Sequence, residues 1–381
     1  TKGMRSIYLD NAASAPILDE VIDVMAHSLK SLNGNPSSTH KYGRTARAAI
    51  EQSRKTIAHY LKASIGEVFF TSCGTEANNT ILNCAVDQLG IERLIISSIE
   101  HPSVRNTACF LSKYRHVELI ELPVSPYGKI DLADLAEYLR DSKKKTLVSI
   151  MHANNEIGTI QPVREIGELC QQSGALFHTD AVQTIGHLPF DVSSTYVSFL
   201  SASGHKFHGP KGVGFMYVNS DNIIEPFIRG GSQERNVRAG TENVAGIVGM
   251  AHALKYCYEN LEDKSSRVID LRSYLIQRMS EEFPQTELVS CSSTEDCLFT
   301  IANFHFPHSK KSDLLLMNLD IYGISASGGS ACSSGAEKPS HVIEALRRYH
   351  GEGKCVRFSM SFMNTRDEID QVVEVLAKCV N

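Results

Sequence analysis

Lys206 stands in Ser203-Gly-His-Lys206-Phe-His-Gly-Pro-Lys-Gly212, just after an apolar run and among residues small enough to let a flat ligand approach. A lysine at a strand end is most often simply solvated, so Lys206 alone says little. Asp180 closes a second apolar run, in Phe177-His-Thr-Asp180-Ala-Val-Gln183. A carboxylate withdrawn from water stays charged only beside a cation or good donors, and the protonated nitrogen of a heterocycle would be such a cation. Gln183 is close enough in sequence to reach a neighbouring ring oxygen. A third apolar run leads through Thr71-Ser-Cys-Gly74-Thr75-Glu76 into a helix. There the free N–H groups and positive end of the helix stabilise an anion such as phosphate, although an ordinary cap by Ser72 or Thr75 would explain the same residues. Together, a phosphate-binding helix start, a carboxylate for a ring nitrogen and a lysine for an aldehyde are the parts that pyridoxal phosphate requires.

Four further positions add chemistry or a simpler alternative. His101, in Ile99-Glu-His101-Pro, either stacks on the ring and moves protons near neutral pH or caps a helix. Asn155, in Asn154-Asn-Glu156, follows a strand end and makes either a turn or a polar contact to the ligand. Arg357 lies in an apolar strand, where its planar fork suits either a substrate carboxylate or a structural ion pair. Cys332 lies in Ser325-Ala-Ser-Gly-Gly-Ser-Ala-Cys332-Ser-Ser-Gly. A stretch so rich in glycine and serine reads as a mobile loop, and its thiol is either a nucleophile or an incidental exposed group.

The elements that must position these residues follow from the apolar pattern. Strands are expected over 68–71, 94–97, 117–122, 146–151, 175–179, 197–200 and 212–218. Helices are expected over 42–62, from Gly74 to a stop at Gly90, and over 163–173. Strands alternating with helices predict an α/β fold, with a mainly parallel seven-stranded sheet flanked by helices. Such a sheet binds ligands beyond the carboxyl ends of its strands. A long helix over 257–283, strands near 298–304 and 356–360, and a final helix over 366–379 predict a smaller α+β C-terminal domain. The expected division is a large cofactor domain, 15–257, and a small domain, 1–14 with 258–381, that carries the cysteine loop.

Composition narrows the setting. The 381 residues are 42% hydrophobic and 21% charged, with 38 basic against 43 acidic side chains and a net charge of −5. That balance leaves no basic footprint for direct nucleic-acid binding, and no apolar run is long enough to span a membrane. The opening Thr1-Lys-Gly-Met4-Arg5 lacks a secretory core, and 1–3 reads as a scar before a start at Met4. Ten cysteines follow no framework spacing, so reduced thiols in a cytoplasmic protein are expected. No ligand spacing points to a metal.

The sequence resembles the cysteine desulfurases of the NifS/IscS type, in the class V aminotransferase group of fold-type I pyridoxal phosphate enzymes. The resemblance runs nearly end to end, through Tyr8-Leu-Asp-Asn-Ala-Ala13, Phe70-Thr-Ser-Cys-Gly-Thr-Glu76, Ser203-Gly-His-Lys206, Arg238-Ala-Gly-Thr-Glu-Asn243, Gly329-Ser-Ala-Cys332 and Arg357-Phe-Ser359. It implies that Lys206 holds the cofactor as a Schiff base, Asp180 pairs with the ring nitrogen, Gln183 meets the ring hydroxyl and His101 stacks and moves protons. It also implies that Gly74, Thr75, Ser203 and His205 bind the phosphate, joined by Thr241 from the other subunit of a homodimer, and that Asn155 and Arg357 hold the substrate carboxylate. L-cysteine would become L-alanine, with its sulfur passed as a persulfide to Cys332. From there it would go to an acceptor protein for iron–sulfur assembly or tRNA thiolation.

Departures from the pattern are Cys73 beside the phosphate site, Phe362-Met363 after the substrate arginine, and an end at Asn381 where longer relatives dock a scaffold protein. The rival readings are a selenocysteine lyase or another class V enzyme, a metal hydrolase built on His205 and His208, and a non-enzymatic sulfur carrier.

Overall fold

The computed structural model describes residues 6–141, 143–309, 311–328, 340–349 and 353–380. Its central sheet has seven strands in the order Val68–Thr71, Gly214–Val218, Phe199–Ser203, Leu176–Asp180, Thr146–Ser149, Arg93–Ser97 and Glu118–Leu122. Only Gly214–Val218 runs against the others. The runs read as continuously apolar because both faces of the sheet are covered. Successive side chains alternate between two cores. Phe70, Ile95, Val148, Leu200 and Phe215 enter one, with Ile50, Ile57 and Leu254 from helices Lys41–Leu61 and Val244–Glu259. Phe69, Ile96, Leu147, Phe199 and Met216 enter the other, with Ile81, Ala85 and Ala108 from helices Gly74–Leu89 and Pro102–Arg115.

A third core belongs to the C-terminal part. Strands Lys354–Ser359, Ile301–Phe306 and Glu287–Leu288 form an antiparallel sheet. Helices Leu261–Glu282 and Arg366–Val380 pack on it through Leu271, Leu275, Ile369 and Leu376. The N-terminal strand Ile7–Tyr8 joins this region by pairing with Ile324–Ser325, and Ile7 and Leu9 lie in its core.

The α/β class, the seven strands and the stop at Gly90 (φ +70°) match the sequence reading. The expected helix over 257–283 does not. Val244–Glu259 is a helix of its own, and Asn260 (φ −114°, ψ 23°) separates it from Leu261–Glu282. Asn260 bonds its own side chain back to the Tyr256 carbonyl, competing with the helical ladder as asparagine does at helix ends.

Candidate active site

Thr71, Ser97, Ser149, Asp180 and Ser203 end strands that point the same way, so the chain after each opens at one edge of the sheet. A cavity of about 280 Å³ lies there. Gly74, Thr75, His101, Asn155, Asp180, Gln183, Ser203, His205, Lys206 and Arg357 all line it.

At one end, helix Gly74–Leu89 begins with no side chain capping it; its N-cap is Cys73, in extended conformation. The Ser72 N–H is occupied by Glu76 Oε2, and Arg238 grips the same carboxylate through Nε at 2.9 Å. Burial works against the charge on Glu76, but these partners hold its carboxyl below the usual range. The Ser203 hydroxyl is buried and has no hydrogen-bond partner among the described residues. His205 is neutral, because burial and the neighbouring Lys206 push it down to about 4. A Cβ on residue 74 would meet Val182 Cγ2 at 2.6 Å, so only glycine fits against Val182. Uncapped N–H groups, an unpartnered hydroxyl and a close backbone approach suit a phosphate.

In the middle, Lys206 Nζ donates to the Ala12 and Ala13 carbonyls at 2.6 and 2.9 Å. Gln183 donates to the Ala12 carbonyl at 3.0 Å. Asp180 accepts from Asn78 Nδ2 at 2.8 Å and from the Val182 N–H at 3.0 Å. His101 is both a cap and a cavity residue, since its Nδ1 accepts the Ser103 N–H at 3.1 Å at the start of helix Pro102–Arg115. Burial, with Lys206 and His341 nearby and Asp180 opposing, lowers its pKa. An acidic group, a lysine and an imidazole thus line one cavity.

At the far end, Arg357 is 2% exposed. Its Nη1 donates to the Asn155 carbonyl at 2.7 Å and its Nη2 to Asp10 Oδ1 at 2.8 Å, while Nε has no partner among the described residues. The ion pair and the ligand-facing position, alternatives in the sequence, coexist. Asp10 also accepts from Ser327 Oγ, on the segment that pairs with Arg357. Beneath the cavity, Glu100 is fully buried and burial pushes its carboxyl up to about 8. Its Oε1 accepts from Ser97 Oγ and the Met151 N–H; its Oε2 has no partner among the described residues.

Thr241 is exposed and does not line its own chain's cavity. Cys332 lies outside the described residues. Cys73 does line the cavity. His205 and His208 do not converge: His208 is buried, with Nδ1 on the Pro16 carbonyl. The sequence reading gives no role to Asp10, Asn78, Glu100 or Ser103. Asn78 lies on the buried stripe of Gly74, Ile81, Leu82 and Ala85, but helical periodicity by itself gives such an amide no role.

The class V aminotransferase family model matches residues 7–372. A protein named cysteine desulfurase IscS, from Dictyoglomus turgidum, is 41% identical over 99% of this chain and 95% of its own length. A solved NifS-like protein is 34% identical with a TM-score of 0.90, covering 98% of this chain and 99% of that one. A structure titled SspA in complex with cysteine is 31% identical with a TM-score of 0.79, covering 94% of this chain and all of that one. The chain belongs to the class V aminotransferases and, among them, to the cysteine desulfurase family of the NifS and IscS type. The cofactor of this family is pyridoxal phosphate, and the cavity's donors, carboxylate and lysine are of the kinds it requires.

Proposed function

We propose that this chain is a pyridoxal-phosphate-dependent cysteine desulfurase that converts L-cysteine to L-alanine and takes up the sulfur on Cys332 as a persulfide. The observation that carries the reading is the convergence of Lys206, Asp180, His101 and Arg357 on one cavity beside an uncapped helix start. When bound, pyridoxal phosphate supplies a ring that accepts the electrons left at Cα when the substrate loses its proton. Lys206 would hold the aldehyde carbon and, as a free amine, would serve as a base toward that proton. Asp180 would hold the ring nitrogen, and Gln183 the ring hydroxyl. Gly74, Thr75, Ser203 and His205 would bind the phosphate, with Thr241 contributed across a homodimer. Arg357 and Asn155 would fix the substrate carboxylate. Cys332 then forms a sulfur–sulfur bond as the carbon–sulfur bond breaks, and alanine leaves after protonation at carbon.

The cysteine bound in the SspA structure supports the choice of substrate. We further infer a cytoplasmic enzyme that passes sulfur to an acceptor protein of iron–sulfur assembly or tRNA thiolation, without binding nucleic acid directly. The nine cysteines among the described residues are free thiols, which fits a reducing compartment. The separate apolar core of the C-terminal sheet supports a small domain of residues 1–14 and 258–381 on a large domain of 15–257.

The test is direct. The purified protein is yellow, borohydride bleaches it with modification of Lys206, and it releases alanine from cysteine. Cys332→Ala keeps the colour and loses turnover with physiological reductant. A colourless protein that takes up no added cofactor, or full turnover by Cys332→Ala, overturns the proposal.

A further inference from the structure

Asn78 lies on helix Gly74–Leu89, is 1% exposed and lines the cavity. Its Nδ2 makes two hydrogen bonds of 2.8 Å, one to Asp180 Oδ2 and one to Ser103 Oγ. A carboxylate only accepts, so the amide nitrogen must face Asp180, and the orientation of the group is decided. It comes at a cost: Asn78 Oδ1 is buried with no partner among the described residues.

The Ser103 backbone N–H points at His101 Nδ1 and makes that nitrogen an acceptor. Ser103 Oγ accepts from Asn78 with one of its two lone pairs and so has its single hydrogen to donate to the same nitrogen. It lies 2.7 Å from His101 Nδ1, which also accepts the Ser103 backbone N–H at 3.1 Å. His101 Nδ1 therefore receives two donors and cannot carry a proton of its own. In the neutral ring the proton is on Nε2. A ring whose Nδ1 accepts the Ser103 N–H is neutral, and burial lowers the pKa of His101 in the same direction, with Asp180, Lys206 and His341 as the charged or titratable groups around it.

We propose that Asn78 is a positioning residue whose two amide hydrogens hold the Asp180 carboxylate in place and, through Ser103, fix the proton of neutral His101 on Nε2. His101 consequently enters the reaction as a proton donor at Nε2. It becomes a base there only after giving that proton up. This inference rests on the role proposed above for Asp180 and on the proton transfer that the family resemblance implies for His101, and extends them to two residues that touch those groups.

The experiment is 15N NMR of the histidine-labelled holoenzyme, with the His101 signals assigned by their loss in His101→Gln. The expected result is a protonated Nε2 and a bare Nδ1 in the wild type. Ser103→Ala removes one donor to Nδ1, so the tautomers mix and the His101 titration midpoint moves up; Ser103→Thr, which keeps the hydroxyl, restores both. Asn78→Ala lowers kcat by about tenfold, with KM for cysteine changing by less than about threefold, because the damage is to orientation rather than to substrate contacts. It also displaces the His101 midpoint in the same direction as Ser103→Ala, and the double variant falls short of the sum of the two.

A wild-type His101 with its proton on Nδ1 overturns the inference, and needs no variant to fold. So does a pair of Ser103→Ala and Asn78→Ala enzymes with the wild-type midpoint and kcat. Full activity in His101→Gln is a different failure: it removes the proposed role of His101 and leaves the tautomer measurement standing.

Discussion

Two buried arginines in this molecule are treated in opposite ways. Arg54, on helix Lys41–Leu61, meets Glu234 in a two-point ion pair at 2.8 and 2.9 Å and also donates to the Val68 carbonyl. Glu234 takes the Phe70 N–H as well. Its Oε1 and Oε2 are both bonded, and the pair ties helix and edge strand to the turn at Glu234 and Arg235, where φ is positive. Arg357, at the cavity, has one carboxylate and one carbonyl, with Nε left over. Beneath the cavity, Glu100 also keeps an unpartnered oxygen among the described residues, but as a carboxyl that burial holds toward its neutral form. At Arg54 and Glu234, away from the cavity, buried charge closes on itself as stability demands. At the cavity the hydrogen-bonding capacity is incomplete, and unmet capacity is what a ligand can use.

Arg54→Met leaves Glu234 buried without its cation, and is expected to cost about 3–5 kcal/mol in denaturant unfolding while the folded fraction turns over cysteine at the wild-type rate. Large loss of kcat with unchanged stability would place Arg54 in the wrong class. Arg357→Lys gives the reverse: a fall of roughly 100-fold in kcat/KM for cysteine, about 2.7 kcal/mol, as two-point recognition is lost. Little change in its melting temperature is expected, and a collapse in stability would make Arg357 a structural residue after all.

Glu100 sharpens the contrast through pH. Its carboxyl keeps a proton in the fold up to about 8, against the ordinary 4.5. Between those values the folded state holds one more proton than the unfolded chain, so stability declines as pH rises and the gain is complete only below 4.5. Glu100→Gln should therefore flatten the dependence of unfolding free energy on pH by roughly 1.4 kcal/mol per unit across that window. An unchanged slope would mean that Glu100 is already charged. Ser203→Ala carries the smallest effect. Losing one donor should weaken cofactor binding by about fivefold, read as cofactor release on dilution; an unaltered release would remove Ser203 from the phosphate site.

Much of the site was legible because strand ends are legible. An apolar run that stops at Asp180 or shortly before Lys206 announces a side chain at the edge of a covered sheet, whatever the remaining topology. The Gly74–Thr75 helix start was readable for the same reason. Asn78 was not, because an amide inside a helix acquires meaning only when that helix lies against the strand ending at Asp180. Asp10 and Arg357 are 347 residues apart, and no local pattern announces such a pair. The helix break at Asn260 escaped because its flanks are equally good helix formers on both sides.

The sequence by itself determined the alternation of strands and helices, the edge at which polar groups would gather and the residue types that make a pyridoxal phosphate site. Those depend on local periodicity and on side-chain chemistry, both written in the chain. Only the tertiary structure decided which polar groups are saturated and which are left open, and which nitrogen of His101 receives the Ser103 N–H. Hydrogen-bond partners are set by packing between distant segments, and a proton goes where the partners leave room for it.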